Sequence, residues 1–413
     1  MIRRLAVAAG RFDRRLWILS LGLGVSSFGG ALTMPFIAIY LHAEHGMSLT
    51  QIGLFYTLLT VVRMASQMTA GELSDHLGRG PLLTLSPLGH AGAFMLLALG
   101  MYLRWSLPAI VLCFVLNAVV GSIFMPVANA AAADILPTED RLKGYALIRT
   151  VSNLGWAVGP ALGGLLAGLS FALLFFIAAL FILAAGLVFL FFFKAPPKTL
   201  AEERFRLSDL WAVRKDLHLF QHVVLSFLLY LVFSQMMSTF PVYAVDFIKI
   251  TKHQVGLLFT VNGILVVLLQ FPLTRLMSRV KLTYQMALGG WFLGLGFGLA
   301  GIWTGFPAFL AVFALLSLGE VAMSPPGLSL TSHLAPAGRM GRYMGLVSLF
   351  AMAGWSSGPL FGGVVLDLLP GRFALAWALI ASVAWVAGLG YLVFSRGLTD
   401  RVNRVEGHGE NAL

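Results

Sequence analysis

Charge is what this chain has least of. Only 11% of its 413 residues are Asp, Glu, Lys or Arg, against about 25% in an ordinary soluble domain. So few charges cannot wet a surface of this size, and with 59% apolar residues most of that surface must face lipid. Cysteine is almost missing: the single Cys113 excludes a disulfide scaffold and any Cys-rich zinc or iron–sulfur site. Alternating apolar and polar residues are absent too, which argues against a β-barrel. No H-E-x-x-H, no paired intramembrane aspartates and no G-x-S-x-G on a strand occur, so an intramembrane enzyme lacks its chemistry. Gly294-x-Gly296 lies inside an apolar helix and is not a nucleotide loop. No polar segment is long enough to bind a nucleotide as a pump would. The expectation is a non-enzyme with no metal and no cofactor.

What is present is a series of long apolar runs. Twelve have the roughly 20 residues that cross a bilayer as helix. They centre on 17–41, 49–71, 81–103, 107–131, 145–168, 171–193, 219–244, 254–274, 282–304, 307–330, 343–366 and 373–395. The stretch Leu5–Ala9 is too short for a signal peptide, and Arg11, Arg14 and Arg15 follow it; Arg3-Arg4 reads as a membrane-surface anchor. With the N-terminus inside, 22 of the 28 Lys and Arg fall in inner segments and four in outer loops, with Arg63 and Arg149 within spans. The positive-inside rule then puts both termini in the cytoplasm. It also accounts for the net charge of +11 without nucleic acid as a partner. The expected location is the plasma membrane of the cell, crossed many times.

The longest polar stretch, Lys194–His218, lies between spans six and seven. It reads as an inner linker (194–218) between a first half (1–193) and a second (219–395), with a tail at 396–413. Internal repeats support the division. Gly155-Trp156-Ala157-Val158-Gly159-Pro160-Ala161-Leu162-Gly163-Gly164 in span five matches Gly354-Trp355-Ser356-Ser357-Gly358-Pro359-Leu360-Phe361-Gly362-Gly363 in span eleven at an offset of 199. Gln51-Ile52-Gly53-Leu54 matches Gln254-Val255-Gly256-Leu257 at an offset of 203. Like segments in like order and orientation are parallel repeats, the arrangement of carriers whose halves rock around a central site. Gly155, Gly159, Gly354 and Gly358 allow close helix approach, and Pro160 and Pro359 remove backbone donors, so these six are candidate hinge and packing residues.

The segment after span two reads Gly71-Glu72-Leu73-Ser74-Asp75-His76-Leu77-Gly78-Arg79-Gly80-Pro81. It resembles the signature loop of the major facilitator superfamily, with Gly71, Asp75, Gly78 and Arg79 in place and His76 and Gly80 standing where two basic residues are expected. The Gly-Pro-x-x-Gly-Gly element of span five resembles the antiporter signature of that superfamily's twelve-helix drug–proton exporters. The resemblance covers the whole chain. It implies an all-α fold of twelve transmembrane helices in two six-helix halves. It also implies a latch in which Asp75 meets the inner end of span eleven and Arg79 meets an acid at the inner end of span four, here Asp134. Spans one, four, seven and ten would line the cavity. One departure stands out. Exporters of this branch often carry an arginine in span four, four residues before a glycine; Asn117 occupies that place before Gly121. The coupling arginine is then missing, or its role has moved to Arg63 or Arg149; Glu320 and Arg63 are the candidates for proton coupling.

Polar groups inside spans are expensive, and they mark sites. Arg63 and Gln67 share a face of span two; Ser317, Glu320 and Ser324 share one of span ten. Tyr230, Gln235, Met236, Ser238 and Thr239 occur on span seven, and Asn262 and Gln270 on span eight. Gln67, Asn117, Tyr230, Gln235, Met236, Ser238, Asn262, Ser317 and Glu320 are therefore candidate substrate-cavity residues. Met237, Phe240 and Met323 are adaptable contacts for an apolar solute or simply core. Arg149, Asn153 and Trp156 share a face of span five, and His90 stands in span three. These features lead to a secondary transporter that exchanges protons for an amphipathic drug, lipid or metabolite and is energised by the proton gradient, with monomer as the expected state. A uniporter or importer on the same fold is the alternative; a passive channel or an intramembrane enzyme fits less well.

Overall fold

The computed structural model describes residues 13–136, 141–193, 216–336 and 339–404. Among them there is no strand. The helices are α1 (Arg14–Thr33), α2 (Phe36–His45), α3 (Leu49–Leu77), α4 (Arg79–Tyr102), α5 (Leu107–Ile135), α6 (Arg141–Leu169) and α7 (Phe171–Phe192). After residues 194–215, which lie outside the described residues, come α8 (Leu217–Phe233), α9 (Thr239–Asp246), α10 (Lys252–Leu276), α11 (Leu282–Ala300), α12 (Phe306–Leu334), α13 (Met340–Leu368), α14 (Phe373–Phe394) and the short α15 (Asp400–Asn403).

Each of the twelve expected spans is occupied by helix. Ten of these spans are long and apolar enough to cross a membrane by composition alone. The other two are α6 and α11. The first opens on Arg141 and Lys143 and carries Arg149; the second is diluted by five glycines between Gly289 and Gly298. The protein is a multi-pass, all-α membrane protein.

Spans one and seven are broken, and both breaks follow from proline. Pro35 separates α1 from α2, and Pro241 lies in α9 just past a 3-10 turn, Ser234–Met237. Proline gives no N–H to the helix ladder, and its ring crowds the carbonyl four residues earlier. In α8–α9 the freed backbone region is filled by side chains: Ser234 Oγ donates to Leu231 O at 3.1 Å and Ser238 Oγ to Ser234 O at 3.2 Å.

The residues group into two compact units. One gathers the described residues within Met1–Tyr40, Leu58–Ala201 and Thr251–Thr260; the other gathers the described residues within Leu41–Thr57, Glu202–Ile250 and Val261–Leu413. In the first, α1 packs along α6 because glycines let the backbones meet: a Cβ at Gly155 would lie 2.8 Å from Phe28 N, and one at Gly159 2.7 Å from the Ala31 side chain. In the second unit, the repeat of that motif packs α13 on α8, where a Cβ at Gly354 would lie 3.0 Å from the Phe227 carbonyl carbon. Rings fill the rest of the second unit. Trp377 stacks on Phe297 with centroids 5.4 Å apart, and Phe240 touches Phe297, Phe309, Phe313 and Trp377.

The short segments Leu41–Thr57 and Thr251–Thr260 carry the second repeat, and its structure explains its residues. Ser48 and Gln51 form a capping box at the start of α3, with Ser48 N donating to Gln51 Oε1 at 2.9 Å and Gln51 N to Ser48 Oγ at 3.2 Å. Thr251 and Gln254 do the same at α10, at 2.8 and 3.2 Å. Gly53, one turn in, lies against α13, where a Cβ would be 2.6 Å from Leu360 N and 2.7 Å from Pro359 O. Gly256 lies against Pro160 O and Gly164 Cα of α6. Asp367 at the end of α13 accepts from Thr50 N at 2.8 Å, capping α3 from outside the helix.

The end of the described chain folds back on α11. Asn403 is fully buried. Its Oδ1 accepts from Thr283 N, and its Nδ2 donates to Thr283 Oγ1 and Ser395 Oγ, all at 3.0 Å. Asn403→Ala should destabilise the protein by about 1–3 kcal/mol, because a buried donor loses its acceptor; thermal unfolding in detergent measures it. Beside it, Lys281 Nζ stands 2.8 Å from Asp400 and holds that carboxyl below the usual carboxylate range. A depressed carboxylate stabilises the fold above its unfolded-state pKa, so this contribution is lost as pH falls through the acidic range.

Candidate functional site

In the second unit, α10 and α12 bring three of the expected residues together. Asn262 Nδ2 donates to Ser317 Oγ at 2.9 Å and to Glu320 Oε2 at 3.1 Å. Ser317, fully buried, gives its own hydrogen to Phe313 O at 2.7 Å. Its oxygen is thereby left as acceptor, which orients the Asn262 amide toward the carboxylate. Glu320 sits at the midpoint of α12, half-buried. Pro325 and Pro326 follow one turn on; they cannot donate to the carbonyls of Val321 and Ala322, so this stretch of α12 is locally polar. A neutral amide can hold a carboxyl in either protonation state, donating to the charged form and accepting from the neutral one.

The polar stripe of span seven is placed differently. Gln235 is fully buried: its Nε2 donates to Gly358 O at 2.6 Å and Leu231 O at 3.0 Å, and its Oε1 accepts from Thr239 Oγ1 at 2.6 Å. The amide thus serves the α8–α13 contact, and Gly362 is glycine because the Gln235 side chain fills its space. Met236, Ser238, Phe240 and Met323 are also buried; Met323 abuts Gly289, where a Cβ would lie 2.8 Å from its side chain. Tyr230 remains half-buried, its ring 6.4 Å from Phe233.

In the first unit, His90 on α4 lies against Asn117 on α5, within electrostatic reach of Arg63 on α3. Gly121 explains the fit: a Cβ there would come within 2.8 Å of the His90 ring. Gln67 is half-buried one turn from Arg63, whereas Arg149, Asn153 and Trp156 are exposed.

The signature loop is tight. Gly78 has φ +83°, a conformation that suits glycine, and α4 starts at the next residue. Arg79 Nη1 pairs with Asp134 and also donates to Ala130 O, tying the start of α4 to the end of α5. This pair lies wholly within the first unit. The side chain of Asp75 and residue Gly71 lie outside the described side chains.

One network has no counterpart in the expectations. His222 on α8 meets Thr331 on α12 at 3.0 Å and Tyr391 on α14 at 3.1 Å, and Tyr391 meets Ser226 at 3.0 Å, all buried. Each hydroxyl and ring nitrogen is satisfied, so the network fastens three helices. Its sequence signal is faint, because His222 and Ser226 share a face only when the spacing of four is noticed.

Comparison with known proteins agrees with this architecture. The family model of the Major Facilitator Superfamily matches twice, over residues 19–251 and 223–411. The chain belongs to that superfamily. It is 31% identical over 366 residues to YttB of Bacillus subtilis (strain 168), named an MFS-type transporter, covering 86% of this chain and 89% of that protein. It is 27% identical over 375 residues to the multidrug resistance protein MdtH of Aeromonas hydrophila, covering 90% and 93%. A Na(+), Li(+), K(+)/H(+) antiporter of Planococcus maritimus is 24% identical, with 87% and 91% covered. Among solved structures, the peptide transporter POT in complex with sulfate superposes with a TM-score of 0.75 at 16% identity, covering 95% of this chain and 96% of that one. A bacterial homologue of the lysosomal transporter Spinster gives 0.74 at 12% identity, covering 95% and 98%. These similarities show the fold; the protein is a membrane transporter and not an enzyme.

Proposed function

We propose that this superfamily member is a proton-coupled exporter of amphipathic small molecules, working by alternating access. The observation that carries the reading is Glu320, a carboxyl at the centre of a transmembrane helix held by the neutral amide of Asn262. Desolvation favours its neutral form and a wet or cationic surrounding its charged form, so alternation between the two binds and releases a proton in each cycle. Arg63, the other coupling candidate, keeps its proton at any working pH; it acts on coupling only through its charge. The names of two relatives, a multidrug resistance protein and a cation–proton antiporter, support export and proton exchange. With 59% apolar and only 11% charged residues, the chain suits an amphipathic solute better than a highly charged one.

Counterflow in proteoliposomes tests the carrier reading. Unlabelled substrate inside should accelerate entry of labelled substrate several-fold; equal rates with and without it would indicate a channel. The proposed topology puts both termini and 194–218 in the cytoplasm of a cell whose plasma membrane holds the protein. In a variant lacking Cys113, a cysteine at Thr199 should resist an impermeant thiol reagent in intact cells and react after permeabilisation. Reaction in intact cells would invert the topology.

A further inference from the structure

The turn between α10 and α11 and the chain after α14 bring six cations and one acid to one end of the second unit. The cations are Arg275, Arg279, Lys281, Arg396, Arg401 and Arg404, and the acid is Asp400. Asp400 joins the two segments: Lys281 Nζ stands 2.8 Å from its Oδ1 and Arg404 Nη2 3.7 Å from its Oδ2. Neutral groups fix the backbone beneath the charges. Gln285, buried, donates from Nε2 to Met277 O at 3.0 Å and Val280 O at 2.9 Å, which sets the turn. His333 Nδ1 donates to Val402 O at 3.0 Å, and buried Asn403 ties the tail to Thr283 and Ser395. All five arginines are exposed, and Arg275, Arg279, Arg396 and Arg401 have no acid partner among the described residues. Like charges held on a fixed frame repel one another, and an arriving anion offsets that repulsion.

Apolar neighbours set the depth of the patch. Both segments end membrane spans, Lys252–Leu276 and Phe373–Gly397. Phe271 (74%), Leu276 (79%) and Val393 (61%) are exposed beside Arg275 and Arg396. Exposed apolar side chains of a span face acyl chains, so guanidinium groups within a turn of them reach the level of the lipid heads. A guanidinium binds a phosphate through two parallel N–H bonds, and four to eight basic residues next to a span draw anionic lipid.

We propose that this patch is a binding surface for the phosphate heads of anionic phospholipids, held where α10, α11 and α14 leave the bilayer. It gives the protein a lipid partner, whatever the direction and coupling of transport. The cations make the contact; Gln285, His333 and Asn403 are positioning residues that keep the turn and the tail together.

The test uses the full chain in phosphatidylcholine nanodiscs, with Cys113→Ser and a fluorophore on Thr399→Cys, an exposed position beside Asp400. Two probe lipids, phosphatidylglycerol and phosphatidylcholine, each carry a quenching nitroxide near the top of one acyl chain. With the patch intact, half-quenching should need about tenfold less phosphatidylglycerol than phosphatidylcholine at low salt, and the difference should shrink in about 1 M salt, where screening is nearly complete. Arg396→Gln, Arg401→Gln and Arg404→Gln combined should abolish the preference. Asn403→Ala keeps every charge and releases the tail, so the preference should fall about threefold or more. Arg14→Gln with Arg15→Gln removes two cations from the first unit and should change nothing. Equal quenching by the two lipids in the otherwise unaltered labelled protein at low salt overturns the surface, and that comparison stands even where the triple variant does not fold. So does a preference that the triple variant keeps, or one that the Arg14 and Arg15 changes reduce as much, since net charge alone would then explain it. Full preference in Asn403→Ala overturns the fixed frame.

Discussion

Glu320→Gln is expected to lose uphill transport while keeping exchange. Proteoliposomes bearing the variant should accumulate substrate against its gradient at least about tenfold less than wild type under an imposed proton gradient, equivalent to about 1.4 kcal/mol of lost coupling. Counterflow, which needs alternation but no net proton, should persist. The reasoning starts from cost. An ionised acid at mid-membrane costs about 2.5–3.5 kcal/mol even on insertion scales, so a glutamate kept at the centre of α12 has to do something that glutamine cannot. Glutamine fills the same space and still accepts from Asn262 Nδ2, which stands 3.1 Å from Glu320 Oε2. It cannot ionise. Helix contacts therefore survive and the proton step does not. Uphill accumulation at the wild-type level would place the proton site elsewhere.

The second large effect is conformational. Gly53→Leu forces a side chain into backbone, with Leu360 N and Pro359 O 2.6 and 2.7 Å from where its Cβ must go. No rotamer change relieves a clash with backbone, so the start of α3 must leave α13. The capping of Thr50 N by Asp367 Oδ2 then opens as well. If transport requires this contact to form and break, turnover should drop at least about tenfold, and spin labels at Leu54 and Leu368 should report a longer distance. Gly256→Leu repeats the experiment at α6. Gly92→Ala is the control, since a Cβ there meets nothing within 4 Å. An unchanged distance in Gly53→Leu would mean that the helix ends are not held by this approach.

Hydropathy is enough to find the spans, because burying twenty backbone amides in lipid leaves only helix as a solution. The glycine repeats are also legible as close-packing surfaces. What spacing does not encode is the partner of each glycine: Gly155 and Gly159 face α1, whereas Gly164 faces the start of α10, with a Cβ 2.7 Å from Lys252 O. The breaks at Pro35 and Pro241 have a readable signal that the glycine motifs overshadow, since Thr33-x-Pro35 and Thr239-x-Pro241 repeat at an offset of 206. On span seven, polarity alone is ambiguous. In lipid an amide such as Gln235 is as well employed on a neighbouring helix's carbonyl as on a substrate, and only the fold shows which. The Asn262–Ser317–Glu320 cluster needs the fold for the opposite reason: its residues lie on two helices about sixty positions apart in sequence, and no periodicity within either one joins them.

Proton movement driven by substrate tests the central claim most directly. Proteoliposomes loaded with a pH-sensitive dye, with no imposed proton gradient, receive a downhill pulse of a transported amphipath. The account predicts that wild type moves protons opposite to the substrate and that Glu320→Gln, still exchanging substrate, moves none. Substrate flux in wild type with no change in internal pH would contradict it.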